Sequence, residues 1–159
     1  MATTIDTGLT KTERTDVARE LTKVLADSYA VYLKTHGYHW NIRGPEFFAL
    51  HTLLETQYRE IWEALDIIAE RIRALGEFAP QGYATFANLT AIKDGDPEKD
   101  AQAMLKELMV DHETLIATTR AALKSADSDG DDVSVDLLTT RLAAHEKAAW
   151  MLRSTLGSR

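Results

Sequence analysis

The residues that interrupt helices are few in this chain, and they are gathered. Gly37 with Gly44-Pro45, then the stretch from Gly76 to Asp96-Pro97, then the loop around Gly130 cut the chain into four long pieces that carry almost no proline or glycine. The first piece runs from about Thr10 to His36. Its apolar residues Val17, Leu21, Val24, Leu25, Tyr29, Tyr32 and Leu33 recur at spacings of three and four, as one face of a helix requires. Gly37 stands where a left-handed glycine would end it. The second piece opens at Pro45 and closes at Leu75-Gly76. The third starts with Asp96-Pro97 as N-cap and first-turn proline and reaches about Ala126. The fourth spans about Val133 to Gly157. Ala84–Leu89 predicts a short extra helix in the crossover between the second and third. Four long helices around one core predict an all-α four-helix bundle over residues 10–157, with residues 1–9 as a flexible N-terminal segment.

Composition narrows the chemistry. Cysteine is absent, which removes disulfide scaffolds, thiolate metal sites and thiol nucleophiles. Twenty-five acidic against 18 basic residues give a formal charge of −7, which disfavours electrostatic attraction to nucleic acid or anionic lipid. Neither a signal-type apolar segment nor a membrane-length apolar run occurs, so a cytoplasmic protein is expected.

The second helix carries the chemical signal. His51 and Glu55 are four residues apart and share a face, and Asp66 and Glu70 repeat the spacing. With His51 at zero, Glu55 falls near 40°, Asp66 near 60° and Glu70 near 100°. Tyr58, Arg59 and Trp62 lie on or beside that stripe. The plain apolar face, Leu54, Ile61, Leu65, Ile68 and Ile72, is elsewhere, at roughly 260–320°. A mixture of imidazole and carboxylate is what Fe(II), Mn(II) and Zn(II) sites use. The same pattern beside Arg59, Arg71 and Arg73 is also that of a solvated ion-pair face, and spacing alone leaves both open.

Axial distance constrains a metal site. His51 and Asp66 are 15 residues apart, about 22 Å along a straight helix. Ligands must sit within about 2–2.5 Å of an ion, so the two pairs cannot serve one ion from a single chain. An antiparallel copy across a two-fold axis would lay His51 and Glu55 of one chain against Asp66 and Glu70 of the other. His39, just before the second helix, could fold over as a further ligand.

The pattern His39-Trp40-Asn41, Gly44, Phe47 or Phe48, His51, an acid at 55, Asp66 and Ala69-Glu70-Arg71 resembles the signature of the Dps family, the miniferritins also called DNA-binding proteins from starved cells. The stretches Asp131–Leu138 and His145–Leu152 are similar to that family's last helix, and the resemblance covers roughly residues 15–156. It implies a ferritin-like bundle and a hollow homododecamer, with iron as the metal. Ferroxidase centres would be shared across the two-fold axis, with His39, His51 and Glu55 from one subunit and Asp66 and Glu70 from its mate, Glu70 bridging. The implied reaction is oxidation of Fe(II) by hydrogen peroxide, or more slowly by O2, with ferric mineral stored in the shell and protection of cell and DNA from oxidative damage.

The resemblance also implies an electron donor in Trp40 and an iron-entry pore lined by Asp127, Asp132 and Asp136, with Asp129 and Asp131 in the same acidic stretch. A core or interface indole and a solvated loop are the plain alternatives for these two features. Many family members carry Asp where Glu55 stands here. No Glu-x-x-His occurs in the chain, which disfavours a di-iron site inside one bundle. DNA binding is expected to be weak or absent. Residues 1–15 set Lys11 and Arg14 against Asp6 and Glu13, Leu156–Arg159 is too short for a basic arm, and twelve copies would carry a formal −84. Were DNA bound, the protein would be nucleoid-associated. A non-enzymatic metal-binding shell or a DNA-compacting protein is the alternative to an enzyme.

Overall fold

The computed structural model describes residues 4–157. Five helices account for it: α1 (Lys11–Asn41), α2 (Phe47–Ala74), α3 (Tyr83–Leu89), α4 (Ala101–Ser128) and α5 (Asp132–Thr155), with no strand among the described residues. The N-termini are specified locally. Thr10 and Glu13 form a reciprocal capping box on α1. Asp100 accepts from the Ala103 amide at 2.8 Å to start α4, and Asp131 accepts from the Ser134 amide at 3.1 Å to start α5.

The four long helices pack antiparallel. Arg14, in the first turn of α1, donates to the Leu75 carbonyl just beyond α2 at 3.2 Å, while the far end of α1 meets the start of α2 through His39 and His51. Glu113–Arg153 and Arg120–Glu146 ion pairs tie α4 to α5 in the same sense. The crossover is pinned by Asp27, buried on α1. It accepts from Thr90 Oγ1 at 2.7 Å and the Ala91 amide at 2.8 Å, and from Thr118 Oγ1 of α4 at 2.7 Å.

Two boundaries differ from expectation. Gly37 does not end α1, which runs on to Asn41. A glycine stops a helix by taking a left-handed conformation, which Gly37 does not; α1 ends instead where Ile42 turns extended, at φ −62° and ψ 141°. The extra turn is rewarded by burial of Tyr38 and Ile42, which outweighs the roughly 1 kcal/mol a mid-helix glycine costs. His39 therefore stands in the last turn of a helix instead of on a loop. The second difference is α4, which starts at Asp100, not at Asp96. Asp96 caps only the local turn, accepting from the Glu98 amide at 2.9 Å. Of the expected flexible segment, residues 1–3 lie outside the described residues, and Leu9 packs against the core. Ser158 and Arg159 also lie outside. No helix among the described residues is long and apolar enough to cross a membrane.

The core has two apolar blocks. Leu21, Leu25, Ile61, Ile68, Leu115 and Leu138 belong to one, and Tyr38, Leu54, Leu108 and Leu152 to the other. Between them each long helix contributes polar side chains that are buried: Lys34 and Thr35, Gln57, Asp111 and His112, Arg141 and His145. Lys34 pairs with Asp111 at 2.7 Å. Arg141 reaches out to Glu60 at 2.5 and 3.0 Å and also donates to His145 Nε2 at 3.1 Å. Because arginine only donates, the His145 proton sits on Nδ1, which faces His112 Nδ1 at 3.1 Å. The His112 proton is thereby assigned to Nε2, which has no partner among the described residues.

Burial, aided by the Arg141 charge, pushes His112 down to about 4 and holds His145 well below the imidazole range, where His112 adds to the effect. The folded chain keeps both rings neutral, so below the ordinary value of about 6.5 it binds fewer protons than the unfolded chain. Stability is therefore complete above about pH 6.5 and is lost as the pH falls towards 4, at up to about 1.4 kcal/mol per pH unit for each ring. Denaturant titrations at pH 7 and pH 5 test this. The midpoint is expected to drop at pH 5, and replacing both rings by leucine is expected to flatten the difference.

Candidate metal centre

The end of α1 and the start of α2 are joined by two imidazoles. His39 Nδ1 donates to the His51 carbonyl and His51 Nδ1 donates to the His39 carbonyl, each at 2.8 Å. The rings stack with centroids 3.7 Å apart and planes 17° apart. A carbonyl accepts only, so both protons are on Nδ1 and both Nε2 atoms carry free lone pairs. Backbone bonds to the far nitrogen are what orient and strengthen a metal-ligating histidine. Held in this way, the neutral form of each ring would present Nε2 as a donor.

Glu55 lies one turn beyond His51 and is half-buried. Arg59 grips it through Nε and Nη2, both at 2.8 Å. That bond, with smaller help from Arg59, His39 and His51 as charges, lowers the carboxyl below its ordinary range against a small opposing effect of burial. Glu55 is thus a carboxylate with a cation already on it, which would compete with a metal for the same oxygens.

Asp66 and Glu70 sit exposed farther along α2. One chain does not bring them to the histidines. Among the described residues there is no group of three or more His, Cys, Asp or Glu able to hold an ion. The five candidate ligands form two separated sets, His39, His51 and Glu55 at one end of the stripe and Asp66 with Glu70 at the other. The apolar face of α2 is buried at Leu54, Ile61, Leu65, Ile68 and Ile72, so the stripe faces away from the chain's own core. Trp62 and Ile67 on the same helix are large and exposed, as are Phe78 and Tyr83 just past it.

Around the histidines lies an aromatic cluster that joins Trp40, Tyr58 and Trp62 to His36 and Tyr32, which the residue pattern did not single out. His36 stacks on Tyr58 with centroids 3.9 Å apart and lies 4.1 Å from Trp40. Tyr58 stands edge-on to His39 at 5.1 Å. Tyr32 bonds to His36 Nδ1 through its hydroxyl at 3.2 Å and contacts Tyr58 and Trp62. Burial, with His39 and Arg59 adding, holds His36 below the usual imidazole range. Trp40 itself is 65 % exposed. One turn of helix separates His36, Tyr32 and Trp40 in sequence, so the i, i+4 spacing was the available signal.

The acidic stretch divides. Asp127, Asp132 and Asp136 are exposed, and Asp129 is half-buried. Asp131 is buried, pairs with Arg71 at 2.6 Å and accepts from Ser134. The Ser134 and Arg71 bonds outweigh burial and keep it a carboxylate. It joins α5 to α2 and does not face an opening.

Comparison with known proteins adds the last observation. Residues 18–158 match the Ferritin family, a ferritin-like domain. A low temperature-induced protein of Nostoc is 40 % identical over 94 % of this chain and 85 % of its own length. DNA protection during starvation protein 2 of Bacillus anthracis is 32 % identical over 88 % and 96 %. The solved structure of DpsC from Streptomyces coelicolor superposes with a TM-score of 0.93 at 30 % identity, covering 98 % of this chain and 92 % of that one. The Dps protein of Vibrio cholerae, described as a ferritin-like diiron-carboxylate protein, superposes at 0.91 with 29 % identity over 98 % and 99 %.

The Glu55–Arg59 clamp is open to test with a redox-inert ion. Arg59→Gln is expected to raise Co(II) affinity about twofold, the scale of an exposed one-turn ion pair. Calorimetric titration reads it, and weaker binding would mean that Arg59 positions Glu55.

Proposed function

Because this chain belongs to the Dps family of ferritin-like proteins, we propose that it oxidises Fe(II) with hydrogen peroxide, or more slowly with O2, and stores the ferric product inside a homododecameric shell. Iron is the substrate and the cargo. The observation that carries the reading is the reciprocal His39–His51 pair, which leaves two Nε2 lone pairs available. The chain lacks the rest of a ligand set at that end and has it, as Asp66 and Glu70, about 22 Å away. A two-fold copy running antiparallel supplies Asp66 and Glu70 of the partner subunit. The exposed Trp62, Ile67, Phe78 and Tyr83 are the apolar surface such a copy would cover.

The chain's own groups then divide the work. His39 and His51 hold Fe(II) as neutral donors whose direction is set by backbone carbonyls. Glu55 releases Arg59 and joins them. Glu70 of the partner subunit bridges, and Asp66 of the partner subunit completes the set. Hard carboxylate oxygen favours Fe(III) over Fe(II), which makes iron a better reductant in the site than in water. Peroxide takes two electrons and two protons and leaves as two waters, so two Fe(II) are consumed per peroxide and no hydroxyl radical is released. Asp127, Asp132 and Asp136 offer exposed carboxylates for drawing Fe(II) towards a pore. Binding to DNA at physiological salt is weak or absent, given a charge of −7 on each chain. Nothing in these groups requires a membrane, and the reading places the protein in the cytoplasm.

Anaerobic Fe(II) titration with peroxide tests the proposal. Ferric absorbance is expected to rise on mixing at about two Fe(II) per peroxide, and to fall to the buffer rate in His51→Ala with Asp66→Ala. Wild-type protein that oxidises iron no faster than buffer refutes the enzyme. Active protein that elutes as a monomer refutes the shared site.

A further inference from the structure

Two phenols stand close to the His39–His51 pair, in opposite surroundings. Tyr58 is the nearer, edge-on to His39 at 5.1 Å, but the Arg59 guanidinium lies over its ring at 5.7 Å. A fixed cation disfavours removal of an electron from that ring and cannot accept its proton. Tyr32 is one ring farther, 6.3 Å from Tyr58. Its hydroxyl meets His36 Nδ1 at 3.2 Å, so it faces a base. The rings His39, Tyr58 and Tyr32 form an unbroken series of contacts, and His36 stacks on Tyr58 at 3.9 Å. Tyr38 also has an acceptor for its phenol, the Glu107 carboxylate, but its ring makes no aromatic contact with this series among the described residues.

We propose that Tyr32, with His36 as the acceptor of its phenolic proton, is a one-electron donor that completes peroxide reduction when only one Fe(II) is bound at the neighbouring centre. The proposal rests on the peroxide-driven iron oxidation above and adds a residue to it. A single Fe(II) supplies one of the two electrons that peroxide needs. The other leaves Tyr32 through the Tyr58 ring, while the phenolic O–H breaks and its proton passes to His36 Nδ1. With two protons from solvent, the balance is Fe(II) + H2O2 + Tyr32–OH + His36 + 2 H⁺ giving Fe(III) + Tyr32–O• + His36–H⁺ + 2 H2O. The O–O bond breaks to two waters in place of water and hydroxyl radical. A later Fe(II) reduces the phenoxyl radical as the proton returns from His36, and the sum is the ordinary two Fe(II) per peroxide.

Freeze-quenched EPR of the assembled full-length protein tests this, with less than one Fe(II) per site and excess peroxide. Wild-type protein is expected to show a tyrosyl radical, narrowed when ring-deuterated tyrosine is incorporated and formed more slowly in D2O. Tyr32→Phe is expected to lose that signal and to release hydroxyl radical to a spin trap. His36→Gln keeps the phenol and loses the base, and a weakened signal without the D2O effect is expected. Tyr38→Phe, whose ring lies outside this series, should retain the wild-type signal. A tyrosyl signal of full strength in Tyr32→Phe, or a signal insensitive to tyrosine deuteration, overturns the proposal. So does a wild type that makes ferric product on mixing but no radical, an outcome that leaves the ferroxidase reading standing. A wild type that makes no ferric product removes both.

Discussion

His39 and His51 each donate Nδ1–H to the other's backbone carbonyl, and that exchange ties the geometry of the candidate site to the fold. It joins the last turn of α1 to the second turn of α2 across the short connection 42–46. The same two bonds set both tautomers. A chain that formed the bundle without them would leave the imidazoles free to turn, and either nitrogen could carry the proton. With them, both Nε2 atoms are committed as donors before any metal arrives. The cost of ordering the ligands is therefore met during folding, where burial of Tyr38, Ile42, Leu50 and Leu54 nearby supplies the driving force.

Polar burial in this bundle takes two forms. In the core, His112, His145, Arg141 and Gln57 separate two apolar blocks, and Glu60 and Lys34–Asp111 anchor the layer at its edges. The Gln57 amide and His112 Nε2 have no hydrogen-bond partner there, and the layer holds no group of three or more His, Cys, Asp or Glu able to hold an ion among the described residues. On α2 the second form is a stripe that the chain leaves open. Its histidines are fully positioned, its first carboxylate is held by Arg59, and Asp66 and Glu70 are exposed. The contrast between a closed polar layer and an open one is what directs attention to the surface of α2.

Much of this was legible in the residues. The apolar stripe of α2 and the positions of His51, Glu55, Asp66 and Glu70 follow from helical spacing, and the distance between the two pairs already excluded one ion held by both from a single chain. Other features depended on tertiary structure. Gly37 reads as a stop, yet burial of Tyr38 and Ile42 carried α1 through it. Asp96-Pro97 reads as a helix start, yet the Tyr38 hydroxyl, accepting from the Asp96 amide, held that segment as a turn. Asp131 reads as one of a row of loop acids, and only the approach of Arg71 across the bundle separates it from them. His112 and His145 stand at core positions of their helices, but their contact spans 33 residues and no local pattern reports it.

The central claim is that two chains complete one site, and subunit mixing tests it most directly. His51→Ala and Asp66→Ala chains are unfolded together in equal amounts and reassembled into mixed shells. Half of the two-fold pairs then join unlike chains, and each such pair holds one site with every ligand intact. The account predicts that rapid peroxide-driven iron oxidation returns to about a quarter of the wild-type rate, from two inactive parents. A mixture no faster than the separate variants would contradict it.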